Sequence, residues 1–103
     1  MLYKTLVPLV QKFPKPWRYS IGEELQRTIL EIIRFTCQAL YARQPLKEPF
    51  ILKVIGAIQT AQLFIRLALE QQLITEQHYF RASQMVVELH RMALGWLKSV
   101  RTA

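Results

Sequence analysis

Between residues 20 and 42 the apolar positions recur at three- and four-residue intervals. Leu25, Ile29, Ile32, Ile33, Thr36 and Leu40 fall on one side, and Arg27, Glu31, Arg34 and Gln38 on the other. That spacing predicts an amphipathic helix over residues 20–42. Ser20 with Glu23 three positions on forms an S-x-x-E capping box for its start. A second periodic run predicts a helix over residues 49–72, with Pro49 in the first turn, where its missing N–H costs nothing. A third predicts a helix capped by Thr75 and running to Val100, its dipole complemented by Glu76. Ahead of these lies a shorter helix over residues 2–12, kinked by Pro8 or beginning near it, and Pro14-Lys15-Pro16 stops it. No stretch alternates with period two, and no Asn-Gly or Asp-Gly turn occurs. The expected fold is all-α, an antiparallel four-helix bundle with short connections.

The last helix carries more apolar surface than one bundle core uses. Gln77, Arg81, Gln84, Glu88, Arg91, Gly95 and Ser99 share one narrow polar stripe, with Lys98 beside it. Val86, Leu89, Ala93, Trp96, Leu97 and Val100 occupy the opposite face. Phe80, Val87 and Leu94 flank the stripe, matched by Leu63, Phe64 and Leu67 in the preceding helix. Either this surplus belongs to the core, or it closes a homo-oligomer, most economically with cyclic symmetry.

Composition narrows the class. At 103 residues the chain is a single domain, 51% hydrophobic with three glycines, which excludes disorder and a loop-rich fold. Cys37 has no partner for an internal disulfide and sits in the apolar run LEIIRFTCQAL, so it is expected as a small buried residue in a reducing compartment. The N-terminal MLYKTLVPLVQKF is a poor signal peptide, interrupted by Pro8 and lacking a small-residue cleavage site. FILKVIGAIQTAQLFIRLAL has the length of a membrane span, but Lys53, Gln59, Thr60, Gln62 and Arg66 make it costly in hydrocarbon. A cytoplasmic protein that does not enter the membrane is expected.

Catalytic chemistry finds little support. The chain has no aspartate, no phosphate-cradling glycine run and no Glu-x-x-His, and His78 and His90 lack the i, i+4 spacing of a helical metal pair. No enzyme activity, metal or cofactor is expected. Charge is the stronger signal: fourteen Lys and Arg against seven acidic residues give +7, which suits a polyanion without choosing among RNA, DNA, an acidic protein and anionic lipid. Cations cluster before Glu23 and after Glu88. The candidate contacts are Lys12, Lys15, Arg18, Arg27, Arg34, Arg66, Arg91, Lys98 and Arg101. The competing reading is that they solvate exposed faces, Glu23 with Arg27 and Glu31 with Arg34 forming pairs within a helix. Trp96 is assigned to core or interface rather than to base stacking, and Trp17 and Tyr19 to anchoring the turn.

Several segments together resemble a known family. Glu88, Arg91, Met92, Gly95, Trp96, Leu97 and Lys98 form E-x-x-R-M-x-x-G-W-L-K; Arg66-Leu67-Ala68 gives R-L-A; Phe13-Pro14-Lys15 and Arg18 to Gly22 give F-P-K and R-Y-S-I-G. In this order they resemble the accessory variability determinant proteins of diversity-generating retroelements, which belong with the bundle proteins encoded in ribosomal RNA intervening sequences. His90 and Leu94 depart from the pattern by standing where small residues are common. The resemblance implies a basic homopentameric barrel of four-helix bundles. It also implies association with the retroelement reverse transcriptase and its template RNA or complementary DNA during mutagenic copying. Two alternatives stand beside it: an intervening-sequence protein without a polymerase partner, and a protein-interaction scaffold that binds no nucleic acid.

Overall fold

The computed structural model describes residues 2–102, 90% of them helical and none in a strand. α1 spans Leu2–Gln11. The short α2 (Lys15–Trp17), a π-helical turn (Arg18–Gly22) and α3 (Glu23–Tyr41) then follow one another without a break, and α4 (Gln44–Glu70) and α5 (Glu76–Thr102) complete the chain. The all-helical bundle expected from periodicity is present, with three element starts that differ from or match the sequence signals for local reasons.

The capping box does not form. Pro16 occupies the first turn of α2, where no N–H is needed, and Pro14 supplies the extended residue ahead of it (φ −54°, ψ 148°), so the helical run starts at Lys15. Ser20 therefore lies inside the π-helical turn, its hydroxyl donating to the carbonyls of Pro16 at 3.0 Å and Trp17 at 3.4 Å. α4 likewise starts at Gln44 rather than at residue 49, because Pro45 takes the first-turn position and Pro49 sits within the helix. One turn further in, Pro49 forfeits a single ladder bond. Thr75 caps α5 as its sequence predicts: Thr75 Oγ1 accepts the His78 N–H at 3.1 Å.

α4 is the central element. Ile51, Val54, Ile58, Ala61, Ile65 and Ala68 are buried along it, and α3 and α5 pack on either side. α3 and α5 do not approach each other: among the described residues no Cα of one comes within 8 Å of a Cα of the other. α1 lies in the trough between them, contacting both, with Leu2, Leu6 and Val10 turned inward and Phe13 buried just beyond. At 1.5 Å per residue the ten residues of α1 cover about 15 Å, whereas α5 runs for about 40 Å. Among the described residues, the rest of the trough has no fourth helix over it. Cys37, expected in the core, is exposed for this reason, since α1 does not extend over its part of α3.

Two backbone positions carry specific constraints. A Cβ on Gly22 would stand 2.7 Å from Val10 Cγ1 and 3.3 Å from both Phe13 Cδ2 and the Trp17 carbonyl, so only glycine lets α1 close onto the π-helical turn. After α4, Gln72 adopts φ 60° in a Schellman closure: the Leu73 N–H donates to the Ala68 carbonyl at 2.8 Å and the Gln72 N–H to the Leu69 carbonyl at 2.9 Å. Glycine would occupy that conformation without steric cost. Gly22→Ala is expected to lower unfolding free energy by ~1–3 kcal/mol through overpacking, and Gln72→Gly to raise it by about 1 kcal/mol. Urea titration of each variant followed by circular dichroism measures both.

Candidate nucleic-acid interface

The cations separate into three structural kinds. Lys47 and Lys53 are held by the fold: Lys47 Nζ donates to the carbonyls of Ala39 and Leu40, 3.0 Å each, closing the C-terminal end of α3, and Lys53 Nζ lies 5.5 Å from the Phe35 ring centroid and 5.4 Å from that of Phe50. Arg18 is half-buried and donates to the Phe13 carbonyl at 3.4 Å, with its Nε enclosed and unpartnered. Its guanidinium is committed to the turn between α1 and α2.

A second group lies on exposed faces against carboxylates. Arg27 meets Glu24 at 2.9 Å and Glu23 at 3.8 Å, Arg66 meets Glu70 at 3.4 Å, Arg101 meets Glu48 at 2.5 Å, and Arg91 pairs with Glu88. Pairs this exposed contribute at most about 1 kcal/mol each and exchange readily for another anion. The expected Glu31–Arg34 pair is absent from the ion pairs among the described residues, leaving Arg34 free.

The third group is exposed with no carboxylate partner among the described residues: Lys12, Lys15, Arg34 and Lys98, joined by Lys4, Arg43 and Arg81. The antiparallel order of α3, α4 and α5 distributes most of them toward opposite ends of a molecule 46 Å long. Lys12 and Lys15 stand at the hinge end with Tyr19, which is 64% exposed and projects outward instead of anchoring the turn. Trp17 does anchor it, half-buried against the core. Arg43 and Lys98 stand at the other end, beside the Arg101–Glu48 pair and the α3 terminus, where Tyr41 is 90% exposed. Arg34 lies between the ends on the outer face of α3.

The nine sequence candidates thus form no single patch in one protomer. Sequence reasoning passed over Arg43 and Tyr41, although the RQP break between helices is itself the signal for an exposed loop cation.

A second surface runs along the outside of α4 and α5. Phe80 and Val87 are 63% and 65% exposed, and Leu52, Leu63 and Leu94 are exposed with them; Phe64 and Leu67 are half-buried. The apolar surplus on α5 therefore lies outside the core. α4 carries no charged residue between Lys53 and Arg66. A Cβ on Gly56 or Gly95 would meet nothing within 4 Å. α4 has the length and hydropathy of a membrane span, with 39% of that window buried inside the bundle. No group of His, Cys, Asp and Glu side chains that could hold a metal ion occurs among the described residues.

No protein-family model matches the chain, and no curated protein sequence matches it. Lys47→Met is expected to destabilise the fold by about 1 kcal/mol by uncapping α3. Denaturant midpoints followed by circular dichroism measure the change.

Proposed function

We propose that this protein is a non-catalytic, nucleic-acid-associated scaffold that works as a homo-oligomer. The observation that carries the reading is the coincidence of two surfaces in one protomer: exposed, unpaired cations at both ends of the bundle, and exposed apolar side chains along α4 and α5. Joining protomers through the apolar face multiplies each end cluster by the subunit number. A few cations per chain then become a polyvalent basic rim.

At its most specific, the reading is an accessory variability determinant protein of a diversity-generating retroelement. It would be a cytoplasmic pentamer holding template RNA or complementary DNA beside its reverse transcriptase. Its support is the sequence resemblance together with the basic, apolar-faced bundle. Lys12 and Lys15 at the hinge end, and Lys98 with Arg43 at the other, are the phosphate contacts of choice because no carboxylate competes for them. Arg27, Arg34, Arg66, Arg91 and Arg101 are secondary contacts, and Arg18 acts through the turn it holds.

Light scattering is expected to give a mass several times the 12.2 kDa of one chain; a mass near one chain ends the oligomer proposal. Phe80→Glu with Val87→Glu, at positions exposed in the protomer, should return it to a monomer with unchanged helicity. RNA affinity should fall by at least about tenfold between 50 and 200 mM salt, and Lys12→Glu/Lys15→Glu or Arg43→Glu/Lys98→Glu should weaken it similarly across sequences. Salt-independent affinity contradicts the phosphate mechanism, and no binding at all favours a protein-interaction scaffold. Adjacent genes separate the two related identities: a reverse transcriptase with paired template and variable repeats marks a retroelement, and a position inside a ribosomal RNA gene marks an intervening-sequence protein.

A further inference from the structure

Tyr41 ends α3 with a side chain 90% exposed, more than any other large apolar or aromatic residue among those described. The corner that presents it is braced. Lys47 Nζ donates to the carbonyls of Ala39 and Leu40, just before the ring, at 3.0 Å each. Ala42 (ψ 150°) and Arg43 (ψ 157°) are extended and carry the chain directly into α4. Gln44, its first residue, donates from Nε2 to the Val100 carbonyl at 3.3 Å and ties the corner to α5.

Cations flank the ring on both sides along the chain. Arg34 lies two turns earlier on the same outer face of α3, and Arg43 follows the ring by two residues. Both are exposed, and neither has a carboxylate partner among the described residues. Glu48, the carboxylate nearest to Tyr41 in the sequence, is engaged by Arg101.

We propose that Tyr41 is a base-stacking platform for single-stranded nucleic acid, with phosphates of the same strand on Arg43 and Arg34. This assignment rests on the nucleic-acid reading above and sharpens its ligand, which must be unpaired where it meets the protein. A duplex keeps its base faces within its own stack and offers an isolated ring only phosphates. A single strand offers base faces as well, and because every base has one, stacking carries little sequence preference. An apolar protein surface seated on the ring would have to desolvate or neutralise both guanidinium groups, whereas a polyanion pairs with them as it binds.

The opposite end of the bundle repeats the combination. Tyr19, 64% exposed, stands one turn after Lys15 on the unbroken run from α2 into the π-helical turn, and Lys15 likewise has no carboxylate partner among the described residues. Tyr41 is the site to test, being the more exposed of the two and flanked by cations on both sides.

The test uses nuclease-treated full-length protein and fluorescence anisotropy with three labelled probes: an oligothymidylate of about twelve nucleotides, an abasic strand of the same length, and a duplex of the same length. Oligothymidylate should bind at least about fivefold more tightly than the abasic strand. Tyr41→Ala should weaken oligothymidylate binding by about tenfold while leaving the abasic strand and the duplex unaffected, and Tyr41→Phe should bind as the parent does. Arg43→Gln should weaken all three probes and lower the slope of log affinity against log salt by about 1, whereas Tyr41→Ala leaves that slope unchanged.

Circular dichroism of every variant should match the parent, since the substituted side chains are exposed. Stacking on Tyr41 is overturned if Tyr41→Ala binds oligothymidylate as tightly as the parent, if it weakens all three probes equally, or if the abasic strand binds as well as the base-bearing one. Salt-sensitive binding that persists in any of those cases leaves the scaffold reading standing without the platform. No binding of any probe by the folded parent protein removes both.

Discussion

Everything in this fold hangs on α4 keeping α3 and α5 apart. Ile51, Ile58 and Ile65 are completely or almost completely buried along its inward face, and small residues at Ala57, Ala61 and Ala68 let the neighbouring helices approach it. Because each flanking helix packs on α4 and neither packs on the other, a trough is left between them, and α1 lies in it. α1 fills it only as far as Leu2, and Gly22 permits the close seating of its other end against the π-helical turn. Where α1 lies thus separates the covered residues of α3 and α5 from the exposed ones among the described residues. Ile29 and Val86 fall on the covered side of that boundary, and Cys37, Leu40 and Met92 beyond it.

Charge is distributed by the same architecture. Antiparallel packing brings the α1–α2 turn to the end where α4 stops and α5 begins, and brings the α3–α4 connection to the end where α5 finishes. Runs of cations that look like two blocks in the sequence consequently become two poles. The fold also removes some cations from solution chemistry. Lys47 terminates α3 through two carbonyls, Lys53 lies over Phe35 and Phe50, and Arg18 braces the turn. Formal charge alone overstates what a polyanion could reach, since these three side chains have structural partners while Lys12, Lys15 and Lys98 do not.

The helical class, the Thr75 cap and the polar stripe from Gln77 to Ser99 were legible in the sequence because each follows from local spacing. The exposed surplus at Phe80, Val87 and Leu94 was legible as well, as an excess over what one core can absorb. Helix starts were less so. Where two prolines stand near one boundary, either can take the first turn, and the energy of one ladder bond does not decide between them; packing of the added turns does. The burial of Cys37 was misread because an apolar run is informative about a face but silent about whether a distant segment is long enough to cover it. The poles of the charge distribution lay beyond local reading for the same reason, since which loops share an end is a property of the topology.

Two surfaces adjoin along α5 at Gln84 and Glu88. The outer face carries exposed side chains such as Phe80 and Val87, which on the proposed reading would meet a neighbouring protomer. The trough is concave and apolar, and α1 occupies part of it. On the proposed reading, protomers joined through the outer face would carry the end cations of each chain around one shared basic rim, so that many weak phosphate contacts would add to one strong attachment.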